Sequence, residues 1–237
     1  MPTQCNAEQL EFSCVERRRV VAAFDGGTVS SDAGALLLGK ADEAIGLIDR
    51  LAGCFVDERD PDLIEHTVRT LIGQRVFGMA LGYEDLNDHE QLRHDPVLGA
   101  LLGKLEPQRR TDCAALAGKS TLNRLELHAA QGRSRYHKIL ADTEAIERLW
   151  VQVFLDAHRT APAEVILDLD ATDDPLHGRQ EWRFFHGYYD GYCYLPLYIF
   201  AGEHLLCAKL RRANLDGAAG AREELERIVA QIRERWP

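Results

Sequence analysis

A chain of 237 residues, 46% hydrophobic and 28% charged, has room for one large or two ordinary domains with a buried core, and its balance excludes a disordered chain. No apolar run reaches the length of a membrane span, and the start, Met1-Pro2-Thr3-Gln4-Cys5-Asn6, lacks a signal pattern, so a cytoplasmic location and no membrane partner are expected. With a formal net charge of −10, any nucleic-acid surface must come from a local basic cluster. The six cysteines show no Cys-x-x-Cys pair and read as reduced thiols, not as a disulfide frame or a zinc site.

Residues 1–19 are polar, end in Arg17-Arg18-Arg19, and read as a loose arm. Val20 to Phe24 is a short strand, turned by Asp25-Gly26-Gly27 because glycine accepts positive φ. Ser30, Ser31 or Asp32 caps a helix over 32–52, with Leu36, Leu37, Ile45, Leu47, Ile48 and Leu51 as its stripe. Pro61 breaks the chain. A second helix, 62–81, buries Leu63, Val68, Leu71, Ile72, Val76 and Met79 and leaves Arg69 and Arg75 to face DNA or water. Gly82-Tyr83-Glu84-Asp85 leads into a short helix ending near Arg93, and Asp95-Pro96 starts another. Leu105 to Asp112 is a loop holding Arg109 and Arg110. Gly118-Lys119-Ser120-Thr121 invites a phosphate-loop reading, but the first glycine that motif needs is Cys113. Instead, Ser120 or Thr121 caps a helix with Leu122, Leu125 and Leu127 inward and Arg124 outward. Gln131 to Lys138 is a basic loop with Arg133, Arg135, His137 and Lys138, and a helix over 139–157 closes this part. Together with Arg124, the basic loops form either one DNA-facing surface or a set of solvated arginines.

Thr160-Ala161-Pro162 marks a boundary, after which the character changes. Val165 to Asp170 is a strand, and its alternation puts Asp168 and Asp170 on one face with Leu167 and Leu169 on the other. Two like charges on one face repel unless a proton or cation sits between them, and Mg²⁺ works with one or two carboxylates plus phosphates. The spacing therefore fits a metal-assisted phosphate site, or an Asp-rich turn running through Thr172, Asp173 and Asp174 to Pro175. An aromatic segment, Phe184 to Tyr189, follows; its His186 is either close to such a metal or simply packed. Asp190-Gly191 then turns the chain into an antiparallel hairpin, Tyr192 to Phe200 and His204 to Leu210, with Pro196 marking an edge or bulge. A last helix, 218–235, carries Leu225, Ile228, Val229 and Ile232 on one face.

Asp168-x-Asp170-x-Thr172 resembles the first motif of haloacid dehalogenase-like phosphatases, which would make Asp168 a nucleophile. That fold alternates strands and helices, whereas this chain continues into a hairpin. A fuller resemblance is to the DDE transposases of bacterial insertion sequences. It rests on Leu167-Asp168-Leu169-Asp170-Ala171-Thr172-Asp173-Asp174-Pro175-Leu176-His177-Gly178, on Phe184 to Asp190, and on Tyr192 to Leu197. Upstream it includes Ser30-Ser31-Asp32-Ala33-Gly34, Ala80 to Asp88, and Lys119-Ser120-Thr121-Leu122-Asn123-Arg124-Leu125-Glu126.

The resemblance implies an α+β protein. An arm and strand (1–31) and a helical, DNA-binding region (32–160) would precede the β-β-β-α start of a ribonuclease H-like catalytic domain (161–237). It implies metal-dependent cleavage and transfer of DNA strands at terminal inverted repeats, using two Mg²⁺ or Mn²⁺ ions, and a homodimer. Asp170 would be the metal-bridging catalytic carboxylate, and Asp168 either a weaker ligand or a neighbour that supports the site without touching the ion. Lys209, Arg211 and Arg212 would either hold phosphate backbone or be surface charge. The family's second Asp and its Glu find no counterpart here, so this chain is expected to be an N-terminal portion, inactive alone. A non-catalytic DNA-binding regulator is the other reading.

Overall fold

In a computed structural model, the described residues are 30–104, 114–127 and 136–237, with the main chain of 10–15 and 18–22. The chain divides into two compact units, Met1–Ile48 with Asp57–Ile139, and Asp49–Val56 with Leu140–Pro237.

In the first unit, β1 (Leu10–Val15) and β2 (Arg18–Ala22) form an antiparallel pair, so part of the expected loose arm is a strand. The helix predicted over 32–52 is two helices, α1 (Ala35–Ile45) and α2 (Leu47–Ala52). Gly46, left-handed at φ 65, ends the first, as glycine does at little cost. β3 (Phe55–Asp57) pairs with β4 (Ile139–Ala141); most of both strands, like the end of α2, belongs to the second unit. Pro61 opens a 3-10 turn, and the helix that follows, α3 (Val68–Ala80), starts only at Thr67, whose hydroxyl accepts the Thr70 N–H. α3 is buried on almost every side: Val68, Leu71, Ile72 and Phe77 lie in the core, with Thr70, Gln74 and Arg75 beside them. Arg75 therefore faces neither DNA nor water. It donates to Glu126 at 2.6 Å and to the Glu84 carbonyl at 3.1 Å. Around α3 lie α4 (His89–Leu92), α5 (Pro96–Leu101) and α6 (Lys119–Glu126). As the sequence predicts, Asp95 caps α5 and Pro96 occupies its first turn.

The first long helix of the second unit is α7 (Thr143–Ala157), capped by Asp142; the residues before it, Ile139–Ala141, are extended rather than helical. Next come β5 (Asp168–Ala171), β6 (Asp174–Pro175), β7 (Phe184–His186), β8 (Gly191–Tyr194), β9 (Leu197–Ala201), β10 (His204–Lys209) and α8 (Ala221–Arg235). They build two antiparallel sheets, ordered β10-β9-β5 and β6-β8-β7. The strand expected from Tyr192 to Phe200 breaks at Leu195-Pro196, and its halves enter different sheets. Proline offers no N–H to a ladder, which suits a crossing point.

One face of the β10-β9-β5 sheet is roofed by helices. Leu197, Ile199, Ala201, Leu206 and Cys207 pack against Val151, Phe154 and Leu155 of α7 and against Ala221 and Ile228 of α8. That burial draws α7 into the second unit, so the units divide before the helix and not at Pro162. The β6-β8-β7 sheet has its own small core of Cys193, Leu195 and Ala213, backed by Phe184, Tyr189 and Ala171.

Candidate functional site

Asp168 sits opposite Phe200 in the ladder and Asp170 opposite Tyr198. Residues opposite one another in an antiparallel pair share a face. The carboxylates and the Tyr198 and Phe200 rings, 6.3 Å apart, therefore stand on the face away from the helices. Leu169, opposite Ile199, lies on the other face but is itself 39% exposed, and Ala171, opposite Leu197, packs against the small core of the β6-β8-β7 sheet. Both acids are exposed, about 7 Å apart along the strand. Tyr189 donates its hydroxyl to the Ala171 carbonyl at 3.3 Å. Burial pushes this phenol up, and the charges of Asp173 and Asp170 push it further, so it stays protonated beside the acidic tip. His186 packs 5.0 Å from the Tyr189 ring.

Among the described residues, no three His, Cys, Asp or Glu side chains converge to hold an ion. Asp168 and Asp170 fit one side of a hard-cation site, which needs further oxygen ligands from elsewhere. Because the two acids repel when empty, Asp170→Asn should raise the melting temperature of the metal-free second unit slightly. It should also abolish any further rise on adding Mg²⁺; calorimetry with and without the ion checks both.

The basic residues chosen from sequence are dispersed. Lys209, opposite Leu197 in the ladder, points to the helix-covered face, away from Asp168 and Asp170. Its amine is held by Glu224 and lies 3.5 Å from Glu147. Arg211 donates to the carbonyls of Leu195 (2.9 Å), Gly217 (3.1 Å) and Ala219, stapling two loops. Arg212 lies over the Trp182 ring at 4.5 Å. In the first unit, Arg124 stacks on Tyr136 at 5.5 Å and lines a cleft of about 430 Å³ with Arg59, His66, Arg93 and His94. Arg59 and Arg93 come from polar loops in which no spacing singled them out. Lys138 is exposed. Arg133, Arg135, Arg109 and Arg110 lie outside the described residues.

The three upstream stretches do come together within the first unit. The Tyr83 hydroxyl donates to the Asp32 carboxylate at 3.2 Å, and the charge of Asp32 pushes that phenol up. Lys119 donates to Asn87 at 2.9 Å, and Glu126 takes Arg75. α6 is capped from outside itself: the Glu90 carboxylate accepts the Lys119 N–H at 2.9 Å, displacing the cap expected from Ser120 or Thr121. The Gly118-Lys119-Ser120-Thr121 turn thus holds a protein carboxylate where a phosphate loop would hold phosphate.

The phosphatase reading has no support in this arrangement, because β5 enters an antiparallel ladder and not a strand–helix alternation. Among the described residues, no helix is long and apolar enough to cross a membrane. No curated protein and no solved structure matches the chain. The sequence model of the transposase DDE domain, group 1, matches residues 12–237. With an acid-tipped antiparallel sheet inside a match spanning nearly its whole length, the chain belongs to the DDE transposase family.

Proposed function

We propose that this chain is the transposase of an insertion sequence, or the part of one that binds the element's terminal inverted repeats and carries the first catalytic acid. The observation that carries the reading is the placement of Asp168 and Asp170 on the uncovered face of a helix-backed sheet. Strand order β10-β9-β5 followed by α8 suits the opening of a ribonuclease H-like domain. DDE transposases generally use divalent ions. When bound, such an ion activates the attacking oxygen and stabilises the leaving one.

In this reading Asp170 holds the ion, Asp168 supports it from the same face, and the Tyr198 and Phe200 rings border the site. Basic side chains of the helical region, Arg124 and Lys138 with Arg133 and Arg135, hold phosphate backbone, and a pair of protomers brings two element ends together. Lys209 and Arg211 are occupied within the fold and do not serve DNA. Among the described residues no third acid joins these two carboxylates, and two alone are too few for a two-ion displacement.

A gel-shift series with DNA flanking its own reading frame tests this. The expected result is a sequence-specific shift that weakens steeply with salt and survives Asp170→Asn, with no Mg²⁺-dependent cleavage. A missing or sequence-independent shift contradicts the binding role. Cleavage by the polypeptide alone contradicts the partial site.

A further inference from the structure

We propose that the outer face of the β6-β8-β7 sheet is a stacking platform for unpaired bases of single-stranded DNA. The inference rests on the transposase reading for its choice of ligand, but on separate residues. Phe185 and Tyr192 are opposite one another in the ladder, so their rings share one face, edge to face at 5.7 Å. Arg183, two residues before Phe185, lays its guanidinium over Tyr192 at 4.7 Å. Tyr194 is two residues beyond Tyr192 on the same strand, and Arg212 bridges to it and covers Trp182 at 4.5 Å.

The rings on this face do little for folding. Trp182 is 60% exposed, Phe185 54% and Tyr192 50%, while Phe184 and Cys193 on the other face supply the small core. Trp182 is held at φ 62, a left-handed backbone that a bulky residue adopts only when its surroundings impose it. The result is an indole presented outward beneath an arginine.

Aromatic faces interleaved with arginines suit a polyanion whose bases offer flat π surfaces, and they suit it without regard to sequence. Arg183 and Arg212 share this face with Asp174, which the ladder places beside Tyr194, and with the Glu181 segment, whose carbonyl accepts the Tyr194 hydroxyl at 2.6 Å. The chain runs straight from the acidic tip at Asp170 into β6. A strand stacked here would therefore leave the platform next to the carboxylates, where a cut end must lie.

The test uses the full chain in EDTA, with fluorescein-labelled dT20 and a 20-base-pair duplex as probes, followed by anisotropy. Wild-type protein should bind dT20 and lose Trp182 emission on doing so. Trp182→Ala and Tyr192→Ala should each weaken dT20 binding about tenfold or more while changing duplex binding less than twofold. Tyr192→Phe, which keeps the ring, should bind like wild type and guards against a folding defect. Absent dT20 binding, or binding indifferent to both alanine variants, overturns the proposal. So does concentration-dependent dimerisation lost in Trp182→Ala without any dT20 effect, which would make the face a self-interface. If dT20 fails while the element-end duplex still shifts, only the platform falls. If dT20 stacks but no element-end duplex shifts, the platform stands and the transposase reading falls.

Discussion

Glu224→Ala should lower the stability of the second unit by about 2–3 kcal/mol, roughly 10–20 °C in melting temperature for a unit of this size. Glu224 is 5% exposed on the inner side of α8. Its carboxylate takes Lys209 from β10, the Arg227 guanidinium at 2.9 Å, and the Cys207 thiol at 3.7 Å. Removing one partner of a buried ion pair commonly costs about 3–5 kcal/mol, because the charge left behind has lost its water as well. Here the loss is smaller. Lys209 and Arg227 remain partly solvated and keep Glu147, at 3.5 and 3.8 Å. Burial pushes Glu224 up, but its bonds to Lys209 and Arg227 together more than reverse this and hold it below the ordinary carboxylate range. The stabilisation is therefore present above the ordinary carboxylate pKa and is lost as pH falls through the depressed folded value. The control is Glu226→Ala, an exposed residue whose partner Arg222 is more exposed still; it should change stability by less than about 0.5 kcal/mol. Equal effects at 224 and 226 would contradict the account.

In the first unit, acid should act mainly through one histidine. His89 is fully buried against α3. Gln74 stands 3.1 Å from its Nδ1, and Gln74 is itself fixed, its amide donating to the Ala117 carbonyl and accepting the Ala117 N–H. Arg75 stands 3.3 Å from Nε2. Hydrogen-bond donors thus crowd both ring nitrogens, and a Cβ on Gly78 would come within 2.9 Å of the ring. Burial, and then the Arg75 charge, push His89 from 6.5 down to about 4, against a smaller upward push from Asp88.

A histidine that stays neutral when folded binds a proton first in the unfolded chain. Stability is therefore undiminished above about pH 6.5, falls as pH drops from 6.5 toward 4, and reaches a deficit of about 3 kcal/mol below that. Because the chain has two units, hydrogen exchange of the α3 amides is the suitable measurement. His89→Gln should remove most of the slope between pH 6.5 and 4, leaving a smaller part from His66, which burial and Lys104 also hold down. An unchanged slope in His89→Gln would contradict this origin.

Alternation was enough to put Asp168 and Asp170 on one face, because they flank Leu169 on a strand paired with β9. The hairpin and the last helix were legible for the same reason: Leu197, Ile199 and Ala201 alternate, and Ile228 sits on a helical stripe. What sequence could not supply was which face each neighbouring strand would show. Lys209 is near Asp170 along the sheet but a pleat away from it, and only the ladder register with Leu197 reveals that. The break at Leu195-Pro196 was visible as a proline, yet nothing local says that a strand will change sheets there. Arg75 looked like a surface residue because its helix is enclosed by segments distant in sequence. The cap of α6 comes from Glu90, 29 residues before the N–H it accepts. The aromatic platform left a faint signal in the spacing of Arg183 with Phe185 and of Tyr192 with Tyr194, but Trp182 and Arg212 join it only through tertiary contact.

The central claim is that the tip of β5 holds a divalent ion. Iron(II) can take the place of Mg²⁺, and with ascorbate and peroxide it cuts the polypeptide beside wherever it binds. The account predicts scission confined to 168–174 and to β9 near Tyr198, suppressed by excess Mg²⁺ and absent in Asp170→Asn. Scission that persists in Asp170→Asn, or that falls elsewhere in the chain, would contradict it.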